Sequence, residues 1–176
     1  MFRRFYDPYN DESRSGPLKG YDTAQVCLNG QPINEFAESQ PAHNAKFCDK
    51  CGAETITACP KCNATIKGHY HSPGVLAFSN YKPPAFCYQC GLPYPWTTSR
   101  LNAARELTNE LENLDEQERE SLSKSLDDLI RETPSTPVAV NRFKKLVKKA
   151  GSVAADGLKS ILVDVITEAA KKQLWP

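Results

Sequence analysis

The sequence predicts an α+β chain in two parts: a cysteine-rich N-terminal half of short strands and knuckles, then a C-terminal α-helical bundle. Three observations predict it. All seven cysteines and all three histidines of the 176 residues fall within residues 21–96. In that stretch turns are dense and apolar runs are short. From Thr97 onward cysteine is absent and apolar residues recur at helical spacing.

Residues 1–20 are polar, contain Gly16-Pro17 and show no periodicity, which predicts a flexible arm. Residues 21–96 form the ribbon segment, and residues 97–176 predict about four helices. The first runs from the N-cap Ser99 to Leu114, with Ala104, Leu107, Leu111 and Leu114 along one face. Asp115 opens a second, with Glu118 at capping-box spacing and Leu122, Leu126, Leu129 and Ile130 facing inward. Thr133-Pro134-Ser135-Thr136-Pro137 breaks the chain. Thr136 as N-cap, with Pro137 at the first helical position, starts a third helix that buries Phe143, Leu146 and Val147. The fourth presents Leu158, Ile161, Leu162, Val165, Ile166 and Ala169.

Charge is distributed unevenly behind a net +1. The ribbon segment is neutral. Residues 97–135 carry ten acids and five bases, and residues 136–176 carry eight bases and three acids. Met1–Asn10 lacks the apolar core of a signal peptide, and the apolar stretch Ile161–Ile166 is interrupted by Asp164. The expected compartment is therefore cytoplasmic. There thiols stay reduced, and paired cysteines read as metal ligands before disulfides. An odd cysteine count also argues against a closed disulfide framework.

Three CxxC knuckles carry the chemistry: Cys48-Asp49-Lys50-Cys51-Gly52, Cys59-Pro60-Lys61-Cys62 and Cys87-Tyr88-Gln89-Cys90-Gly91. Two intervening residues let both sulfurs sit about 3.7 Å apart on one tetrahedral zinc, given Zn–S distances of about 2.3 Å. Glycine after the second cysteine permits the positive φ that turns backbone N–H groups toward sulfur. Buried thiols without a ligand role would not explain such spacing three times. Cys59 and Cys62 with Cys87 and Cys90 make a complete four-thiolate site, so two zinc ions are expected in a double zinc ribbon. Cys48 and Cys51 then pair with Cys27 and need a fourth ligand. His43, five residues before Cys48, is preferred. His69 and His71 are alternatives, each with a bland reading as a surface or packing residue. A thioredoxin-type redox role fits poorly, because no βαβ pattern surrounds the pairs.

The stretch from Tyr21 to Gly30 (YDTAQVCLNG), Lys46-Phe47-Cys48, Thr55-Ile56-Thr57, Pro83-Pro84-Ala85-Phe86-Cys87 and Pro93-Tyr94-Pro95-Trp96-Thr97 resemble a bacterial zinc-ribbon family with no assigned activity. The resemblance extends to about residue 174 and takes in Thr136-Pro137 and Arg142-Phe143-Lys144-Lys145-Leu146. It implies two zinc sites and a helical C-terminus. In the family pattern a histidine follows the Asn-Gly, where this chain has Gln31. If that histidine completes the first site, Gln31 is a poor substitute, and either His43 takes over or the site is weak.

No enzyme is expected. A four-thiolate site is closed and electron-rich, Glu54 has no arrangement as a general base, and no phosphate loop, nucleophile elbow or carboxylate pair is present. Nor is a small-molecule substrate identified. Nucleic acid is a candidate partner through Arg142, Lys144, Lys145, Lys148 and Lys149, with ribbon aromatics stacking on bases. The plainer reading of Tyr70, Tyr81, Phe86, Tyr88, Tyr94 and Trp96 is a small core around the metal. An anionic membrane surface would suit the same amphipathic basic helix. The favoured expectation is a protein–protein interaction and assembly module, its partner another protein or a second copy of the chain. In that reading the basic helices close on the acidic ones.

Overall fold

The computed structural model describes residues 20–72 and 80–175. The predicted N-terminal arm lies outside the described residues except for Gly20. The fold is α+β, with small antiparallel sheets at the N-terminal end and helices behind them.

Five short strands are formed among the described residues: β1 (Gly20–Thr23), β2 (Gln25–Cys27), β3 (Pro32–Asn34), β4 (Thr55–Ile56) and β5 (Lys67–His71). Strands β1 and β5 make one antiparallel pair, with Tyr21 opposite Tyr70. A second sheet has the order β3-β2-β4, in which Val26 faces Ile56 and Cys27 faces Thr55. Alternation here is too short to carry a pattern, and the buried polar residues Asp22, Gln25 and Asn34 do much of the bracing. Asp22 accepts from the backbone of Thr23 and Glu38 and from Ser39, and pairs with His71 Nε2 at 3.1 Å. Gln25 reaches Ala45 and Thr55, while Asn34 donates to Gln40 O and Asn44. The loop between β3 and the first knuckle thus supplies a partner to each of the three.

Five helices follow: α1 (Pro95–Asn109), α2 (Glu116–Leu129), α3 (Thr136–Ala150), α4 (Ser152–Leu162) and α5 (Glu168–Leu174). α1 begins four residues before Ser99, because Pro95 supplies the first helical position and Tyr94 the cap. It ends at Asn109, leaving Leu111 and Leu114 in the turn to α2. The capping box of Asp115 and Glu118 is formed, with Glu118 N–H donating to Asp115 at 2.8 Å. Ser135, not Thr136, is the cap of α3; the Thr136 hydroxyl instead donates to Arg131 O and accepts from Thr133 N–H, closing the turn after α2. The expected fourth helix is two. Thr167 recaps the chain by accepting from Ala170 N–H, and the register shift buries Ala170 rather than Ala169.

α2 packs on α3 and α1 on α4, with α5 against α3. One continuous core joins Leu122, Leu126, Leu129, Val140, Phe143 and Leu158 to Val26, Ile66, Tyr94 and Trp96 of the ribbon side. The acidic and basic helices meet at Lys149–Glu118, 2.6 Å apart. No helix among the described residues is long and apolar enough to cross a membrane.

The junction is tight. Trp96 Nε1 donates to Pro84 O at 3.0 Å and Thr97 Oγ1 to Ala85 O at 2.8 Å, while Tyr94 and Trp96 stack at 4.6 Å. Gly30 lies directly under Trp96: a Cβ there would sit 2.8 Å from Trp96 Cβ, at a φ of +84°. Gly30→Ala is therefore expected to lower stability by about 1–3 kcal/mol, read as a urea midpoint followed by tryptophan fluorescence. An unchanged midpoint would mean that this turn does not bear on α1.

Candidate metal centres

Each knuckle is built the same way. A bridge pairs the residue before the first cysteine with the residue three beyond the second: Phe47 with Glu54, Ala58 with Thr65, Phe86 with Pro93. Inside it, the first cysteine's N–H donates to the backbone of Ala53, Ala64 or Leu92 at 2.8–2.9 Å. The residue after the second cysteine returns its N–H to the first cysteine's carbonyl and takes a left-handed conformation: Gly52 at φ +70°, Gly91 at +70° and Asn63 at +62°. Asn63 fills the place that glycine fills elsewhere. Asparagine is among the few residues that tolerate that region, so its position after Cys62 was the available signal.

The knuckles bring the sulfurs into two groups, in each of which all the ligand atoms lie within 4.8 Å of one another. Cys59, Cys62, Cys87 and Cys90 make one, with Sγ–Sγ distances of 3.9 Å for Cys59–Cys90 and 3.6 Å for Cys62–Cys87. Cys27, Cys48 and Cys51 make the other, with Cys27 and Cys51 3.9 Å apart. All seven thiols are free. In each knuckle the first cysteine is buried and the second exposed. Either group could hold a metal ion, and the sulfurs are too far apart for disulfides.

His43 is not in the first group. It ends a short 3-10 turn, Pro41–His43, in which no residue is buried. Asn34 and Asn44 tie that segment to β3 and to Ala37 O. His69 is occupied by Glu35 and the Phe36 ring, and His71 by Asp22. What the structure places beside the three sulfurs is Gln31. Its Oε1 is 2.9 Å from Cys48 Sγ and 3.4 Å from Cys27 Sγ. Gln31 N–H also donates to Cys27 Sγ at 3.3 Å, and Asn29 Nδ2 to Cys51 Sγ at 3.4 Å. The β2–β3 hairpin turn sets this arrangement, since Cys27 N–H donates to Gln31 O and Gly30 N–H returns to Cys27 O. Glu54 is exposed and belongs to neither group.

Crowding sets the thiols' ionisation apart. Burial opposes ionisation of Cys87, but N–H groups of Cys90 and Gln89 and the neighbouring thiols outweigh it and bring this thiol down to about 6. At Cys62 the Ala64 N–H acts downward, yet lost hydration and hydrogen bonds to Cys87, Cys90 and Cys59 push it up to about 12. One charge forms readily and the last only against its neighbours. In the three-cysteine group, burial pushes Cys27 up, while the Ala53 N–H and the Asn29 amide draw Cys51 down.

A comparison with known families matches residues 20–174 to one described as an uncharacterized protein conserved in bacteria (DUF2321). The chain belongs to that family. No curated protein and no solved structure matches it. The match covers the ribbon and the helices together.

The donor set bears out the fit from a further direction. Tyr94 Oη is buried with no hydrogen-bond partner among the described residues. Burial, then the charge of Cys87 and close approach to that thiol, push its phenol upward, so it stands against the four-thiolate group as a neutral O–H. Sulfurs drawn together around an ion would accept from it. Tyr94→Phe keeps the stack on Trp96 and removes only that donor. We expect metal affinity at the four-cysteine centre to fall by roughly 10- to 100-fold in chelator competition, and unchanged affinity would exclude Tyr94 from supporting it.

Proposed function

We propose that this chain is a non-catalytic zinc-binding protein, in which two zinc ions hold a ribbon that serves protein–protein interaction and assembly. The observation that carries the zinc reading is the four-thiolate group. Its Sγ–Sγ distances of 3.6 and 3.9 Å bracket the separation of about 3.7 Å expected on tetrahedral zinc with Zn–S of about 2.3 Å. Four cysteines leave no position for water or substrate, which supports a structural rather than a catalytic ion.

The interaction reading rests on the ribbon surface. Six aromatics were candidates for a core around the metal, and they divide. Tyr94 and Trp96 are buried, and Tyr81 and Phe86 half-buried, but Tyr70 and Tyr88 are exposed. Exposed Tyr21 joins them: it meets Tyr70 edge-on at 5.0 Å, and Lys67 Nζ lies 4.8 Å from the Tyr21 ring and 4.4 Å from the Tyr88 ring. Amphipathic rings held in place by cation–π contacts are characteristic of protein recognition surfaces.

Nucleic acid is the second reading, favoured by the same rings and by the outward Arg142, Lys144, Lys145 and Lys148. The membrane reading is weaker, because the apolar face of α3, Phe143, Leu146 and Val147, is taken up by the bundle.

Elemental analysis should give two zinc ions per chain, and Cys87→Ser should remove one. Zinc content near zero in protein purified without chelator would overturn the reading. For the role, Tyr21→Ala with Tyr88→Ala should abolish a cross-linked partner while zinc stays at two. Retention on polynucleotide that weakens with salt would favour nucleic acid instead.

A further inference from the structure

We propose that Gln31 is the fourth ligand of the three-cysteine centre, donating through its carboxamide oxygen, and that this makes the centre exchangeable where the four-cysteine centre is not. The inference rests on the zinc reading above and assigns to it a residue and a chemical difference between the two sites.

Placement comes first. Gln31 Oε1 accepts from two of the three thiols, Cys48 at 2.9 Å and Cys27 at 3.4 Å, and Cys27 and Cys51 lie 3.9 Å apart. The backbone that carries this side chain is fixed: it is locked into the hairpin through Cys27 N–H to Gln31 O at 3.0 Å and Gln31 N–H to Cys27 Sγ at 3.3 Å. Gly30, one residue earlier, is held against Trp96. The turn that carries the first cysteine thus delivers a second donor from the same hairpin.

Chemistry separates this donor from the histidines. A carboxamide oxygen is a neutral, hard ligand, whereas zinc in a thiolate set is best held by soft or imidazole donors. Three thiolates and an amide therefore bind less firmly than four thiolates, and the amide is the vertex that an incoming donor displaces. Gln31, unlike the three cysteines, also lines a cleft of about 280 Å³ between the ribbon and the helices, faced by Tyr81, Lys82 and Arg100. Both cations there are already paired, Lys82 with Glu168 at 3.2 Å and Arg100 with Asp164 at 2.9 Å.

The amide could instead be turned to donate N–H to the sulfurs, and the variants separate the two roles. Gln31→Glu keeps an oxygen and abolishes the N–H; Gln31→Ala removes both. The full chain is loaded with zinc, its content is measured, and release to a chromophoric chelator is followed. Cobalt-substituted protein gives the coordination spectrum. Wild type should hold two ions and give up one of them much the faster. Gln31→Glu should hold two and release that ion about tenfold more slowly, whereas Gln31→Ala should release it about tenfold faster and shift the cobalt bands. Release and spectrum unchanged in Gln31→Ala would overturn the assignment. Equal acceleration in Gln31→Glu and Gln31→Ala would also overturn it, leaving the amide as an N–H donor. A wild-type content of one, unaffected by Cys27→Ser, would mean that the three cysteines hold no ion, and the assignment would fall with that part of the zinc reading. The four-cysteine ion should release at the same rate in every variant.

Discussion

The convergence of seven sulfurs on two points is the constraint on which the rest of the structure depends. Between residues 20 and 72 the large fully buried apolar side chains are Val26 and Ile66. Burial on that scale cannot offset the entropy of ordering so many loop residues. Bringing thiolates together is itself unfavourable: two unit charges 4 Å apart repel by about 4 kcal/mol at an effective dielectric of about 20. A divalent cation at each point would reverse the sign of that problem and turn the knuckles into cross-links. N–H groups beside Cys27, Cys51, Cys62 and Cys87 spread the charge there, and Tyr94 brings an unpartnered O–H from the helical side.

That side matters because α1 begins inside the ribbon. Tyr94 faces the four-cysteine group, Trp96 covers Gly30 beside the three-cysteine group, and Thr97 holds Ala85 just before Cys87. One helical turn therefore touches the supports of both centres. Lys82 with Glu168, and the Arg131 guanidinium 4.8 Å from the Phe86 ring, tie the same loop to the far helices. The bundle has its own core of leucines and Phe143, so the dependence runs chiefly one way. The ribbon has two sulfur groups that could hold ions, and the bundle supplies a wall against which they are set.

Much of this was legible in the sequence for a physical reason. A CxxC knuckle is local and its spacing states its geometry, so each knuckle could be read directly, whereas their pairing into the two sulfur groups came by elimination. The capping box at Asp115 was local in the same sense. What could not be read were choices settled by distant contacts. His43 lay nearer than Gln31 to the Cys48 knuckle in sequence, but Asn34 and Asn44 hold its turn elsewhere, while the β2–β3 hairpin folds Gln31 back onto Cys27. The start of α1 was masked because Pro95 and Trp96 read as the end of the ribbon as well as they read as a helix. The break at Thr167 was hidden because apolar periodicity continues across it with a one-residue slip, from Ala169 to Ala170.

Hydrogen exchange of the full chain, with its metal and after chelation at neutral pH, tests most directly whether the ions organise the ribbon. This account predicts that amides of Cys48, Cys59 and Cys87, and those of β2 and β4, lose protection on metal removal, while α2 and α3 keep most of theirs. Ribbon amides that stay protected in metal-free protein would contradict it, and would mean that side-chain packing against α1 alone is enough to hold the knuckles.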